Sequence, residues 1–307
     1  MDPSKEPAAN QDSWVQWLTH GRHGGNCRLE ESIQATVEHY RDRVLDGAKL
    51  AEGMTLIDVG AGDGLIGFGA LARIGRSLRV LFVDISKPLL SKMEETARNR
   101  GVLENCRFLQ APAERLDGVP DAAADVVATR SVLVYIADKL AAAREFYRAL
   151  KPGGRVSLAE PIYRNESLHL VSLRQLLELR PNEASLADSR LFLQWKQAEL
   201  PATVEEIAAS PLTNFSERDL IAIFEQAGFE EVHLELHIDS RKSFPTPWDT
   251  FLEIRHHPGA PSLSEILASG FSLSDRAQFE AGLRPAVEAG QLTNRNSIAY
   301  LTAVKPK

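Results

Sequence analysis

The residues that most directly suggest chemistry lie between positions 56 and 84. Leu56-Ile57-Asp58-Val59-Gly60-Ala61-Gly62-Asp63-Gly64 sets three glycines at alternate positions. Glycine permits a tight turn and lets backbone approach a ligand with no Cβ in the way. Where such a loop opens a helix, the first-turn amides are unpaired donors. A glycine triplet alone is equally compatible with a purely structural turn. The second feature is Asp84, which closes Leu81-Phe82-Val83-Asp84. A carboxylate at a strand end can accept hydrogen bonds from both ribose hydroxyls, although alone it reads equally well as a turn or cap residue. Together the two features point to a nucleoside-containing cofactor. Dinucleotide sites space their glycines G-x-G-x-x-G, whereas this loop reads G-x-G-x-G. Asp58 would repel a pyrophosphate but favours a sulfonium or an ammonium, acting directly, through water, or by holding the loop. S-adenosylmethionine is therefore preferred over NAD.

The surrounding elements suit that placement. Apolar strand patterns at Met54 to Val59, Arg79 to Val83, Cys106 to Leu109, Asp125 to Thr129 and Arg155 to Glu160 alternate with helical ones. The helices run from Gly64 to Ile74, about Lys87 to Arg100, and Ile136 to Leu150, the last stopped by Pro152-Gly153-Gly154. That rhythm favours a doubly wound α/β fold, a mainly parallel sheet with helices on both faces. It fails after Pro161, where residues 162–215 read as helical. A helix N-capped by Ser216 and a strand from Glu231 to Ile238 follow. A second polar, helical excursion over 240–293 precedes a strand from Ser297 to Val304. Residues 1–50 read as a polar tail, reaching to about residue 12, and a helical flank or cap; residues 51–307 read as the α/β domain.

Residues 54–160 resemble the core of class I S-adenosylmethionine-dependent methyltransferases, in particular the small-molecule branch containing ubiquinone/menaquinone-biosynthesis-like enzymes. The resemblance rests on Leu56 to Gly64, Asp84, Pro112-Ala113-Glu114, Asp125 to Leu133 and Leu150-Lys151-Pro152-Gly153-Gly154, in that order. It implies a seven-stranded sheet of order 3-2-1-4-5-7-6 with strand 7 antiparallel, here carrying helical cap insertions. It also implies S-adenosyl-L-methionine as cofactor, with Asp58, Gly60, Gly62, Gly64, Asp84, Ala113, Glu114 and Arg130 on the cofactor side. One departure is Pro112, where the family usually has an adenine-facing aspartate. That leaves the Ala113 amide or an inward-turned Glu114 to serve the adenine.

On the acceptor side, Arg130 follows the fourth strand and suits the cofactor carboxylate or an anionic substrate, against a plain surface salt bridge. Tyr135 suits a pocket wall or helix packing. Glu160, with Tyr163 and Arg164, follows the fifth strand near the expected acceptor. His20 and His23 flank a glycine-containing turn, and an imidazole titrating near neutrality can act as general base; the bland alternative is a solvent-facing loop. Tyr135, Glu160, His20 and His23 are thus the catalytic candidates. His256-His257 lacks ligand spacing, so no metal is expected. His233 and His237 read as exposed or packed, and Trp14, Trp17, Trp195 and Trp248 as packing or an aromatic-accepting wall.

Bulk properties narrow the function. With 35 Lys/Arg against 42 Asp/Glu, the net charge of -7 offers no general attraction to nucleic acid or an anionic membrane. Residues 129–132 are Thr-Arg-Ser-Val, unlike the Asn-Pro-Pro-Tyr tetrapeptide that handles bases. Only Cys27 and Cys106 are present, without ligand spacing, which suits a reducing cytoplasm. No run approaches the roughly 18 apolar residues of a membrane span, and the N-terminus lacks the apolar stretch of a signal peptide. The expected partner is a small organic acceptor, with a homodimer left open. The expected reaction is in-line methyl transfer to oxygen or nitrogen. The alternatives are carbon methylation, a protein or nucleic-acid methyltransferase, and a cofactor-binding protein without catalysis.

Overall fold

A computed structural model describes residues 12–307. The polar tail expected at the N-terminus lies outside the described residues except at its last position, Asp12. Asp12 accepts from the Trp14 and Val15 amides and caps the first helix.

In chain order the elements are α1 (Ser13–Gln16), a π-helical turn (Trp17–Gly21), α2 (Cys27–Ala48), β1 (Thr55–Val59), α3 (Leu65–Ile74), β2 (Arg79–Asp84) and α4 (Lys87–Asn99). Next come β3 (Cys106–Gln110), β4 (Ala124–Arg130), α5 (Lys139–Ala149), β5 (Leu150–Pro161), α6 (Arg164–Leu179), α7 (Ala187–Lys196) and α8 (Val204–Ala209). The chain ends with α9 (Glu217–Gln226), β6 (Glu230–Lys242), α10 (Trp248–Glu253), α11 (Leu263–Gly270), α12 (Leu273–Glu288) and β7 (Thr293–Val304).

The seven strands form one sheet of order β3-β2-β1-β4-β5-β7-β6. The first five pair in parallel, and β7 runs antiparallel to both β5 and β6. This is the sheet implied by the resemblance. Two apolar cores cover its faces. One gathers Leu56, Ile66, Phe68, Val80, Phe82 and Met93 beneath α2, α3 and α4. The other gathers Val127, Leu133, Phe146, Leu158 and Phe224 beneath α5 and α9. Each such side chain contributes about 1.5–3 kcal/mol on burial.

Element ends depart from expectation where backbone pairing outlasts the side-chain pattern. β6 continues through polar Asp239-Ser240-Arg241-Lys242 because these residues stay in register with residues 293–296 of β7. The Pro152-Gly153-Gly154 turn is a bulge within β5: Ala124 pairs with Leu150, and Val126 with Arg155.

Helices α6 to α8, and α10 to α12, fill the two irregular segments and build their own cores. Trp195 of α7 and Trp248 of α10 share one core that joins the two segments, where Trp195 meets Phe251 and Phe279 edge-on at 6.1 and 5.6 Å. These two tryptophans are packing residues. Among the described residues, no helix is long and apolar enough to cross a membrane, and no group of three or more His, Cys, Asp or Glu could hold a metal.

Candidate active site

β1 pairs with both β2 and β4, so their C-terminal ends lie side by side, where open α/β sheets bind ligands in a crevice. Asp84 is 7% exposed there. Its carboxylate accepts from the Gly62 amide and the Ser86 amide, both at 2.8 Å, so the acidic strand end and the glycine loop are one rigid unit. Burial pushes the Asp84 carboxyl above the ordinary range; the two amides oppose this, and the nearby Asp12 charge adds to it.

Gly60, Gly62 and Gly64 all have positive φ. A Cβ on Gly60 would stand 2.3 Å from Val132 Cγ2, and one on Gly64 would stand 2.5 Å from the Phe68 ring. Gly62 is different: a Cβ there would meet no side chain closer than Leu18 Cδ1, at 3.6 Å. Asp58 is 1% exposed and accepts from the Gly67 amide at 2.8 Å, an orphan donor in the first turn of α3. Of its three expected modes of action, that bond matches holding the loop. Burial pushes its pKa up to about 7.

Glu160, at the end of β5, was expected to sit near the acceptor. Instead it is fully buried, and its carboxylate accepts from the amides of Val132, Leu133 and Val134 at 3.0, 3.1 and 3.1 Å. Three successive amides at a 3-10 turn form a donor cluster that needs an acceptor, and the neighbouring strand supplies it. Desolvation still raises the Glu160 pKa to about 7. Glu160 thereby holds the turn that carries Tyr135. Ser131, at φ +54°, makes the sharp break before this turn, and its amide donates to Ala159.

Tyr135 is half-buried and receives Trp14 edge-on at 4.9 Å. Burial raises the hydroxyl pKa of both Tyr135 and Tyr163. Arg130 is half-buried, and its one side-chain hydrogen bond among the described residues is to Ser131 Oγ at 3.3 Å. It forms no ion pair there, although its charge acts on Asp58, Tyr135, Glu160 and Tyr163. The salt-bridge alternative for Arg130 thus has no partner among the described residues.

Residues 12–26 cross the crevice as a strap. Asp12 is hydrogen-bonded to Ser86 Oγ at the exit of β2. Leu18 lies over Gly62, and Arg22 Nη2 is 3.8 Å from Asp63 Oδ2. Trp17 Nε1 donates to the Arg255 carbonyl at 2.8 Å, and the Arg255 amide donates to Gly21. The structure separates the two strap histidines: His20 is exposed, whereas His23 is 4% exposed, with neither ring nitrogen hydrogen-bonded among the described residues and Glu30 Oε1 4.0 Å from its Nε2. Asp12 was missed from sequence, although an aspartate just before a helix-starting Ser-Trp is an N-cap signal.

On the adenine side, Ala113 is buried and its amide has no hydrogen-bond partner among the described residues; Glu114 is half-buried. Further out, Glu199 joins the two helical segments. It accepts from Trp195 Nε1 at 2.9 Å and Lys196 Nζ at 2.8 Å, and lies 3.3 Å from His256 Nε2. The His257 ring is 2.9 Å from its backbone oxygen. His233 and His237 lie elsewhere, beside Glu235 on β6. A buried acid at a strand end, an amide without a partner and an unpaired guanidinium together suit a nucleoside that carries an amino acid.

Residues 50–228 match the family model described as a methyltransferase domain. The chain is 30% identical over 193 residues to the ubiquinone/menaquinone biosynthesis C-methyltransferase UbiE of Escherichia coli, covering 61% of this chain and 71% of that protein. The YcgJ protein of Bacillus subtilis has a similar fold, with TM-score 0.53 and 19% identity, over 88% of this chain and 99% of that one. A Bacillus halodurans protein described as a methyltransferase does likewise, with TM-score 0.53 and 15% identity, over 87% and 99%.

Proposed function

From the premise that the chain belongs to the methyltransferase-domain family, with the class I sheet, we propose that it methylates a small organic acceptor held beneath its strap and helical segments. The protein is an enzyme and its cofactor is S-adenosylmethionine. When bound, the cofactor supplies an electrophilic methyl group on a sulfonium.

The chain's own residues then have distinct tasks. Asp84 takes the ribose hydroxyls, and Gly60, Gly62 and Gly64 let backbone approach the ligand. The Ala113 amide serves the adenine ring in place of the side chain that Pro112 lacks, with Glu114 alongside. Arg130 pairs with the amino-acid carboxylate, which gives its unpaired guanidinium a bidentate partner. Asp58 holds the opening turn of α3, and Glu160 the turn of Tyr135. His23, buried on the strap with Glu30 4.0 Å from its Nε2, takes a proton from the acceptor where one must leave; an amine or an acidic phenol needs no such base. Trp14 and Tyr135 keep water from the reacting centre.

The observation that carries this reading is the roof over the strand ends, because a crevice crossed by a strap and flanked by two helical segments suits a small acceptor better than a polymer. Oxygen or nitrogen is the acceptor atom we favour on chemical grounds. Carbon is the second reading, supported by the Escherichia coli relative being a C-methyltransferase.

Two measurements test the proposal. Calorimetry should show binding of S-adenosylmethionine and S-adenosylhomocysteine and none of NAD; NAD binding alone would sink it. A labelled-methyl screen against phenols, amines, carboxylates and small-molecule cell extract, read by mass spectrometry, should then yield a methylated small product. Label found only in protein or nucleic acid when these are supplied would overturn the acceptor class.

A further inference from the structure

The strap does more than cover the crevice. Its first described residue, Asp12, reaches across 74 positions of sequence to Ser86, whose amide is bonded to Asp84. Asp84 in turn holds Gly62, over which Leu18 of the same strap lies. Two carboxylates therefore stand at the exit of β2, joined through one serine. Carboxylates brought together repel unless donors lie between them. Among the described residues, the Ser86, Gly62 and Ile85 amides serve Asp84, and the Ser86 hydroxyl and the α1 amides serve Asp12. A ribose offers two further hydroxyl donors on adjacent carbons, and each carboxylate oxygen accepts more than one hydrogen bond.

We propose that Asp12 is a second ribose ligand, so that the two hydroxyls of the cofactor are shared between Asp84 on the sheet and Asp12 on the strap. The inference rests on the cofactor assignment above. It gives the strap a reason to close on a loaded site, because the ribose supplies the protons that let the two acids approach. The strap also makes its other attachments independently of Asp12, at Asp63 through Arg22 and at Arg255 through Trp17.

The test is calorimetry on the full chain with two probes, S-adenosylhomocysteine and its analogue lacking both ribose hydroxyls. Asp12→Asn keeps a good helix cap while replacing the second acceptor oxygen with a donor; Asp12→Ala removes both. Each should weaken S-adenosylhomocysteine binding about tenfold or more, the scale of a charge-assisted hydrogen bond, and leave the analogue's affinity unchanged. Equal weakening of both probes would mean that Asp12 only caps α1, and would overturn the proposal. Tighter binding by either variant would overturn it too, since Asp12 would then be competing with the ribose. If the wild-type chain bound neither probe, the cofactor assignment itself would fall.

Discussion

Replacing Glu160 with alanine removes one acceptor from three amides at once. Those of Val132, Leu133 and Val134 are each held at 3.0–3.1 Å by a side chain with no solvent exposure. A buried N–H left without a partner costs about 1–3 kcal/mol. Removing the carboxyl also relieves its own desolvation, the largest influence on its raised pKa. The net loss therefore sits at the low end, about 1 kcal/mol per amide or about 3 kcal/mol in all. At about 2–4 °C per kcal/mol, Tm should fall by roughly 6–12 °C. Glu160→Gln keeps one acceptor oxygen but turns an NH2 toward an amide, so about 1–2 kcal/mol is expected. Thermal unfolding followed by circular dichroism at pH 7 measures both, alongside S-adenosylhomocysteine affinity. A change below about 0.5 kcal/mol for the alanine variant, typical of an uninvolved surface site, would refute the reasoning. If the glutamine variant bound cofactor normally yet lost all methyl transfer, Glu160 would be acting on protons rather than holding the turn.

Three further outcomes are expected. Asp58 has a folded pKa of about 7 against an ordinary value near 3.8; its stabilising contribution is full below that ordinary value and is lost as pH rises through about 7. Wild type should thus lose stability relative to Asp58→Asn between pH 4 and 7 in denaturant titrations; a constant difference would contradict the raised pKa. Gly60→Ala should unfold more easily by about 1–3 kcal/mol, and adding Val132→Ala should recover part of that, because the new Cβ meets the Val132 side chain at 2.3 Å. No recovery in the double variant would place the cost in backbone strain alone. Glu199→Ala should leave Trp195 Nε1 without its acceptor and free Lys196 and His256, so limited proteolysis should cut the helical segments faster. An unchanged cleavage rate would mean that the apolar cluster alone holds them together.

The glycine loop and Asp84 were legible in sequence because their signals are local: strand, loop and helix follow within a few residues; the sheet order came only from the family resemblance. A flank or cap from residues 1–50 was expected, but not what ties it down, because its contacts join residues 12 to 22 with residues 63, 86 and 255, and nothing in a short window announces such a partner. Glu160 was correctly placed at a strand end and wrongly aimed. Its position follows from periodicity, but its partners are amides of another loop that only the folded sheet brings near. His20 and His23 looked equivalent until the turn buried one ring and exposed the other. The ends of β6 and β7 were drawn short because polar residues there pair through backbone alone.

That long β6–β7 ribbon has an evolutionary consequence. The segment carrying α10 to α12 leaves the sheet at Lys242 and returns at Thr293, two residues paired across the ribbon, with Lys242 Nζ donating to Thr293 Oγ1 at 3.2 Å. A detour whose ends already touch can be lengthened, shortened or exchanged for little additional entropy, since each doubling of loop length costs only about 0.6 kcal/mol. The strands that carry Asp84 and the glycine loop lie on the opposite side of the sheet order and need not respond. Acceptor range can therefore drift by exchange of one cassette while the methyl-donor half of the enzyme stays as it is, provided the Arg255 backbone that anchors the strap is kept.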